Sequence, residues 1–159
     1  NVNKFWLFDN VARWLNNEGY THTKEKNDDA VFQIKVEDPT GMHIFEPKKQ
    51  EGVLVIELAI NIPSKLDNLY RNYNNNEKNE LEKKMKEIAN EHEIELRFFA
   101  GVEGIKSNLY IVIDDEKNIQ FEFFKKQLNS ILELGNFIEN ILIVIAAGRN
   151  SELKLQKGR

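Results

Sequence analysis

A chain of 159 residues is long enough to bury one well-formed core but short for two, and 41% hydrophobic with 30% charged residues and three prolines is a globular balance. A formal net charge of -4 supplies no global attraction to phosphate backbones or anionic lipid, so nucleic acid and membrane are not expected partners. The lack of cysteine excludes disulfides, thiolate catalysis and Cys-ligated metal, and "NVNKFWLFDNVARW" does not read as a secretory leader, so the expected location is the cytoplasm.

Over residues 3–18, Phe5, Phe8, Val11, Ala12 and Leu15 recur at helical spacing. This predicts an amphipathic helix capped by Asn1 or Asn3 and ended by Gly19. "KEKNDD" (24–29) reads as a polar connection. Ala30, Phe32, Ile34 and Val36 then alternate with Val31, Gln33 and Lys35, the pattern of a half-buried strand. "DPTG" (38–41) predicts a reversal into a second strand, Met42 to Pro47, and "KKQEG" (48–52) predicts another. "VLVIELAI" (53–60) is apolar on both faces except at Glu57, which suits a central strand.

Pro63 to Tyr70 predicts a short helix that the asparagine patch ends. That patch, "NYNNNEKNE" (72–80), reads either as a polar recognition loop or as the composition of an AT-rich genome, with the second favoured. From Glu77 to His92 the stripe Leu81, Met85, Ile88 and Ala89 predicts a helix with one face in water, supported by Glu82 four residues before Lys86. Ile94, Leu96 and Phe98, then Leu109, Ile111 and Ile113, predict a second hairpin across "GVEGIKSN" (101–108). "DDEK" (114–117) closes it and offers acidic residues to a helix N-terminus.

Residues 119–124 alternate like a strand. Phe121, Phe124, Leu128, Ile131, Leu134, Ile138, Leu142 and Ile145 also form a helical stripe without proline, so the expectation is one long helix, with Gly135 as its weak point. Its last part, Ile141 to Ala147, is seven apolar residues, too few to span a bilayer. As a helix this segment is apolar all round, which predicts that one side packs on the sheet and the other on a second protein chain or on the chain's own first helix and tail. Residues 149–159 are a polar tail or a short docked strand, leaving 1–148 as a single α+β domain.

Candidate chemistry is sparse. His22, His43 and His92 form no short-spaced ligand pair, "NEHEIE" (90–95) is not HExxH, and no metal or cofactor is expected. His92 reads as a helix end and His43 as a sheet-face residue. Glycines at 101 and 104 suggest a phosphate cradle only weakly, lacking the P-loop or dinucleotide pattern. The phenylalanines at 98, 99, 121, 123 and 124 read as core rather than as base-stacking platforms. On the less obvious faces, Val31, Phe45 and Phe99 are positioned to line a groove for an extended or helical peptide. Together with Ile141, Ile143 and Val144 they are the candidate partner-binding residues. An enzymatic alternative assembles Asp28 or Asp29, His43 and Asp114 into a carboxylate and histidine site of hydrolase type. A structural subunit of a larger complex is the third reading.

The element order is helix, three strands, helix, two strands, helix, with a five-stranded, largely antiparallel sheet packed with helices. "FWLFDNVARWLNNEGY", the meander "VFQIKVEDPTGMHIFEPKKQEGVLVIELAI", "ELEKKMKEIANEH", the strands "IELRFFA" and "LYIVID" and the closing apolar helix together give an order that resembles the type III secretion chaperone-like fold over nearly the whole chain. It also looks like small uncharacterised prokaryotic or archaeal proteins of that architecture. The resemblance implies a non-enzymatic, often homodimeric module that holds a partner protein or peptide. The all-round apolar "ILIVIAA" departs from it and bears on how such a dimer is arranged.

Overall fold

The computed structural model describes residues 5–114 and 119–148. In chain order it contains α1 (Trp6–Asn17), β1 (His22–Glu25), β2 (Ala30–Val36), β3 (Met42–Pro47), β4 (Leu54–Ala59), α2 (Ser64–Asn72), α3 (Asn75–Glu91), β5 (Glu95–Gly101), β6 (Gly104–Ile113) and α4 (Phe121–Ala146), with a 3-10 turn at Lys48–Gln50. The protein is α+β, with one antiparallel sheet in the order β1-β2-β3-β4-β6-β5. Six strands replace the expected five. By its internal contacts the chain divides into two compact units, Asn1–Leu58 with Tyr110–Asn129 and Ala59–Leu109 with Ser130–Arg159.

In the first unit, α1 ends as its sequence requires. Gly19 takes φ +78, its N–H bonds the carbonyl of Asn16, and the Tyr20 N–H bonds that of Leu15, so the last carbonyls of the helix are satisfied. At the other end the position before the helix is Phe5, which makes no side-chain cap; the expected caps Asn1 and Asn3 lie outside the described residues. β2 and β3 bury alternate residues as predicted, with Ala30, Phe32, Ile34, Val36, Met42 and Ile44 inside. The Phe8 ring meets Phe32 edge-on at 5.4 Å, which places α1 on that face. Between the strands Asp38–Pro39 is cis and Gly41 takes φ +89. Buried Glu46 accepts the Gly52 N–H at 2.8 Å and so stabilises the next reversal.

The unexpected strand is β1, antiparallel to β2 with His22 opposite Val36 and Glu25 opposite Gln33. "HTKE" has no apolar alternation because β1 is a sheet edge, joined by backbone bonds rather than by burial. Its Lys24 ammonium lies 4.6 Å from the Phe8 ring centre, a cation–π contact with α1.

In the second unit the asparagine patch has a structural role. The Asn74 side chain accepts the Glu77 N–H at 2.9 Å and Glu77 accepts the Asn74 N–H at 3.0 Å, a capping box that starts α3. Leu81, Met85, Ile88 and Ala89 are all buried, and Lys86 bonds Glu82 at 3.3 Å. The β5–β6 loop shrinks from the expected eight residues to the turn at Val102 and Glu103, because β6 already begins at Gly104. The acidic residues expected to close that hairpin, Asp115 and Glu116, lie outside the described residues, as does 149–159.

Helix α4 begins at Phe121, so 121–124 is helical, and Phe124, Leu128, Ile131, Leu134, Ile138, Leu142 and Ile145 are all buried as the stripe predicts. Six of the seven apolar residues, Ile141 to Ala146, therefore belong to a 26-residue helix. Among the described residues it is the one helix long and apolar enough to cross a membrane, a test that a core helix also passes. In the first unit its Phe124 packs on Trp14 at 5.4 Å, and Lys125 pairs with Glu18 at 3.3 Å. Phe124 is 1% exposed and Phe137 51%. Phe124→Ala should cost about 3–5 kcal/mol of unfolding free energy and Phe137→Ala no more than about 0.5 kcal/mol, measured by urea denaturation.

Candidate functional site

A strand buried on one face presents its other residues to the opposite face. In the first unit that opposite face carries Val31, Gln33 and Lys35 of β2, His43 and Phe45 of β3 and Glu57 of β4, all half-exposed. The register lines them up in rows. Glu25, Gln33, Phe45 and Val55 are successive neighbours across the sheet, and so are Thr23, Lys35, His43 and Glu57.

The first row is polar at one end and apolar at the other. Asn27 donates to Gln33 at 2.7 Å, and Gln33 donates to Glu25 at 3.0 Å. Phe45 lies opposite Val55, which is only 7% exposed. In the second row, His43 Nε2 lies 3.7 Å from Glu25 and Nδ1 lies 3.6 Å from Glu57. The outcome is an apolar pair, Phe45 and Val55, with Val31 at the register shift of β2, beside a mixed-charge belt. Such a face can take the alternate side chains of an extended peptide, with the belt orienting its polar groups.

The expected carboxylate and histidine site is not assembled as proposed. The carboxylates beside His43 are Glu25 and Glu57, while Asp28, Asp29 and Asp114 are exposed. Asp29 contributes backbone groups to its turn, its N–H to the Asn27 side chain and its carbonyl to the Lys48 N–H. A general base needs one ring nitrogen directed at its substrate and the other at an orienting group. Both nitrogens of His43 instead face glutamates. Among the described residues no three His, Asp or Glu side chains are grouped to hold a metal ion. Alternation alone places His43 and Glu57 on one face, but Glu25 was missed because β1 was read as a connection.

In the second unit, Phe99 is 58% exposed on β5 and Ile143 57% exposed on α4, with Ile141 and Val144 half-buried and Phe137 exposed nearby in sequence. The candidate partner-binding residues thus lie on β2 and β3 (Val31 and Phe45), on β5 (Phe99) and on α4 (Ile141, Ile143 and Val144). Gly104, one of the two glycines suggested as a phosphate cradle, serves another purpose. Gly104 takes φ +112, and a Cβ there would come 2.9 Å from the Asp67 carboxylate, which accepts the Ile105 N–H at 2.8 Å. The acceptor that an anion would supply is the chain's own. His92 closes α3, its Nδ1 3.0 Å from the Ile88 carbonyl. Tyr70 packs against Tyr73 and Phe98; burial pushes its phenol above the usual range, and Glu82 adds to this.

The fold and these surfaces define a class: an α+β protein whose first unit carries, on the half-exposed side of an antiparallel meander, polar and apolar side chains arranged in rows. The chain belongs to the family described as uncharacterized conserved protein (DUF2299), whose model matches residues 7–148. It is similar to an uncharacterized protein from Methanothermobacter thermautotrophicus, whose crystal structure matches with a TM-score of 0.72 at 14% identity, covering 90% of this chain and 98% of that one. At that identity the likeness is one of fold alone. No curated protein matches.

The open face makes a test of its own. Neighbouring residues on β3 should respond differently, since Ile44 is fully buried and Phe45 meets water. Ile44→Ala should cost about 2–5 kcal/mol and Phe45→Ala roughly 1 kcal/mol by chemical denaturation.

Proposed function

We infer that this protein is a non-enzymatic, homodimeric interaction module of the cytoplasm that holds another polypeptide, in the manner of a chaperone. The observation that carries the reading is half-exposed Phe45, opposite buried Val55 and on the strand beside Val31, on a sheet face whose remaining side chains are half-exposed and polar. A solvated outer face of an antiparallel sheet ordinarily alternates to polar residues throughout. Half-exposed Phe45 and Val31 among Gln33, Lys35 and His43, with Val55 buried beside Phe45, give it an anchor instead. Exposed Ile143 of α4, with half-buried Ile141 and Val144 beside it in sequence, is assigned to polypeptide contact as well. The order of helices and strands that resembles type III secretion chaperones supports the same reading without specifying secretion. The buried stripe of α4 supports a core helix over a membrane span, and the net charge argues against nucleic acid.

Native mass spectrometry of protein gently purified from its own cells tests this. The expected species is a homodimer carrying a polypeptide, with Phe45→Glu and Ile143→Lys each losing the polypeptide while retaining the fold. A bare protein carrying a metal or metabolite, unaffected by Phe45→Glu, would overturn the reading in favour of chemistry around His43.

A further inference from the structure

The half-exposed side of the first unit's meander is charged as well as apolar, and its charge is mostly of one sign. The Thr23 hydroxyl donates to Glu37 at 3.1 Å, which sets Glu37 beside the row of Thr23, Lys35, His43 and Glu57. With Glu25 of the neighbouring row, three carboxylates stand against one ammonium, that of Lys35. His43 links two of the three: Glu25 lies 3.7 Å from Nε2 and Glu57 3.6 Å from Nδ1, with His43 26%, Glu25 34% and Glu57 27% exposed. Both separations are longer than a hydrogen bond, and a neutral imidazole carries a single N–H. One glutamate therefore faces a ring lone pair, an arrangement that a cationic N–H donor from outside relieves. Partial burial makes such a pair stronger than it is in open water.

We propose that the polypeptide held on this face is an extended basic segment, with a lysine or arginine over His43, between Glu25 and Glu57, and an apolar residue two positions away over Phe45. This rests on the polypeptide-holding reading above and names the chemistry of what is held. The strand sets the motif. His43 and Phe45 are two apart on β3, so their side chains leave the same face about 6.7 Å apart. An extended chain repeats its own side chains on one side at the same interval, so alternate residues of the occupant meet His43 and Phe45 in turn. An acidic segment would bring its carboxylates against Glu25, Glu37 and Glu57, and juxtaposed like charges reject it. The apolar contact at Phe45 holds any such segment, and the carboxylates choose among them. Lys35 opposes a basic occupant, which makes it the internal control.

Three eight-residue peptides test this, leucine alternating with lysine, with glutamine or with glutamate, each carrying a fluorophore and titrated with the full chain at low salt while anisotropy is read. The lysine peptide should bind most tightly and the glutamate peptide least. Glu25→Gln and Glu57→Gln should each weaken the lysine peptide roughly two- to fivefold and leave the glutamine peptide unchanged. Glu25→Gln keeps an acceptor for Gln33, so it removes charge without opening that contact. Lys35→Gln should tighten the lysine peptide by a similar factor, a gain that misfolding cannot produce. Equal binding of all three peptides, or a preference unmoved by these substitutions, would overturn the basic-segment assignment and leave the polypeptide-holding reading standing. Should none of the peptides bind, that reading loses this face and the assignment falls with it.

Discussion

One-sided burial of the strands is the constraint on which the rest depends. In β2 and β3 every second side chain is withdrawn from water, and the Phe8–Phe32 contact shows α1 closing that side. Fully burying an aliphatic or aromatic side chain contributes about 1.5–3 kcal/mol, so Phe32, Ile34, Val36, Met42 and Ile44 fix which side faces inward. A one-residue slip would exchange them for Val31, Gln33, Lys35, His43 and Phe45 and bury two charges or potential charges. Register and inner face are therefore one decision, and the outer rows of polar and apolar residues are its by-product.

The parts legible in the sequence are those in which burial sets the period. The α3 stripe, the β2 alternation and the seven buried apolar side chains of α4 from Phe124 to Ile145 follow directly from apolar spacing. The two readings of residues 119–124 separate only over distance, because a strand and a helix share apolar positions over a few residues but not over 26. β1 was illegible for the complementary reason: an edge strand held by hydrogen bonds and a Lys24–Phe8 contact carries no hydrophobic period. Losing β1 also lost Glu25, and with it half of the environment of His43. The asparagine patch hid a capping box, since Asn74 and Glu77 are recognisable as a pair only once the helix start is located. A residue's partner across the fold is not a local property. Asp67 bonding Ile105 is another instance, and it turned a suspected anion loop into a closed turn.

A likeness of fold at 14% identity fits this division. What the fold demands is a pattern of apolar positions at matched volume, which many sequences meet. The outer face is under no such demand. Its Phe45 beside Gln33 and Val55 is thus more informative about use than any core residue.

The β5–β6 turn shows how control of a local shape can reside elsewhere in a chain. Its closure depends on the Asp67 carboxylate of α2, 38 positions before the Ile105 N–H it accepts, and on the missing side chain at Gly104. Val102, at the tip, is 97% exposed. The residues that look like the turn are free to drift, and the memory of its form is kept by a helix. Variation among sequences sharing this hairpin should accordingly gather at its tip and thin out at an aspartate that sequence order gives no reason to associate with it.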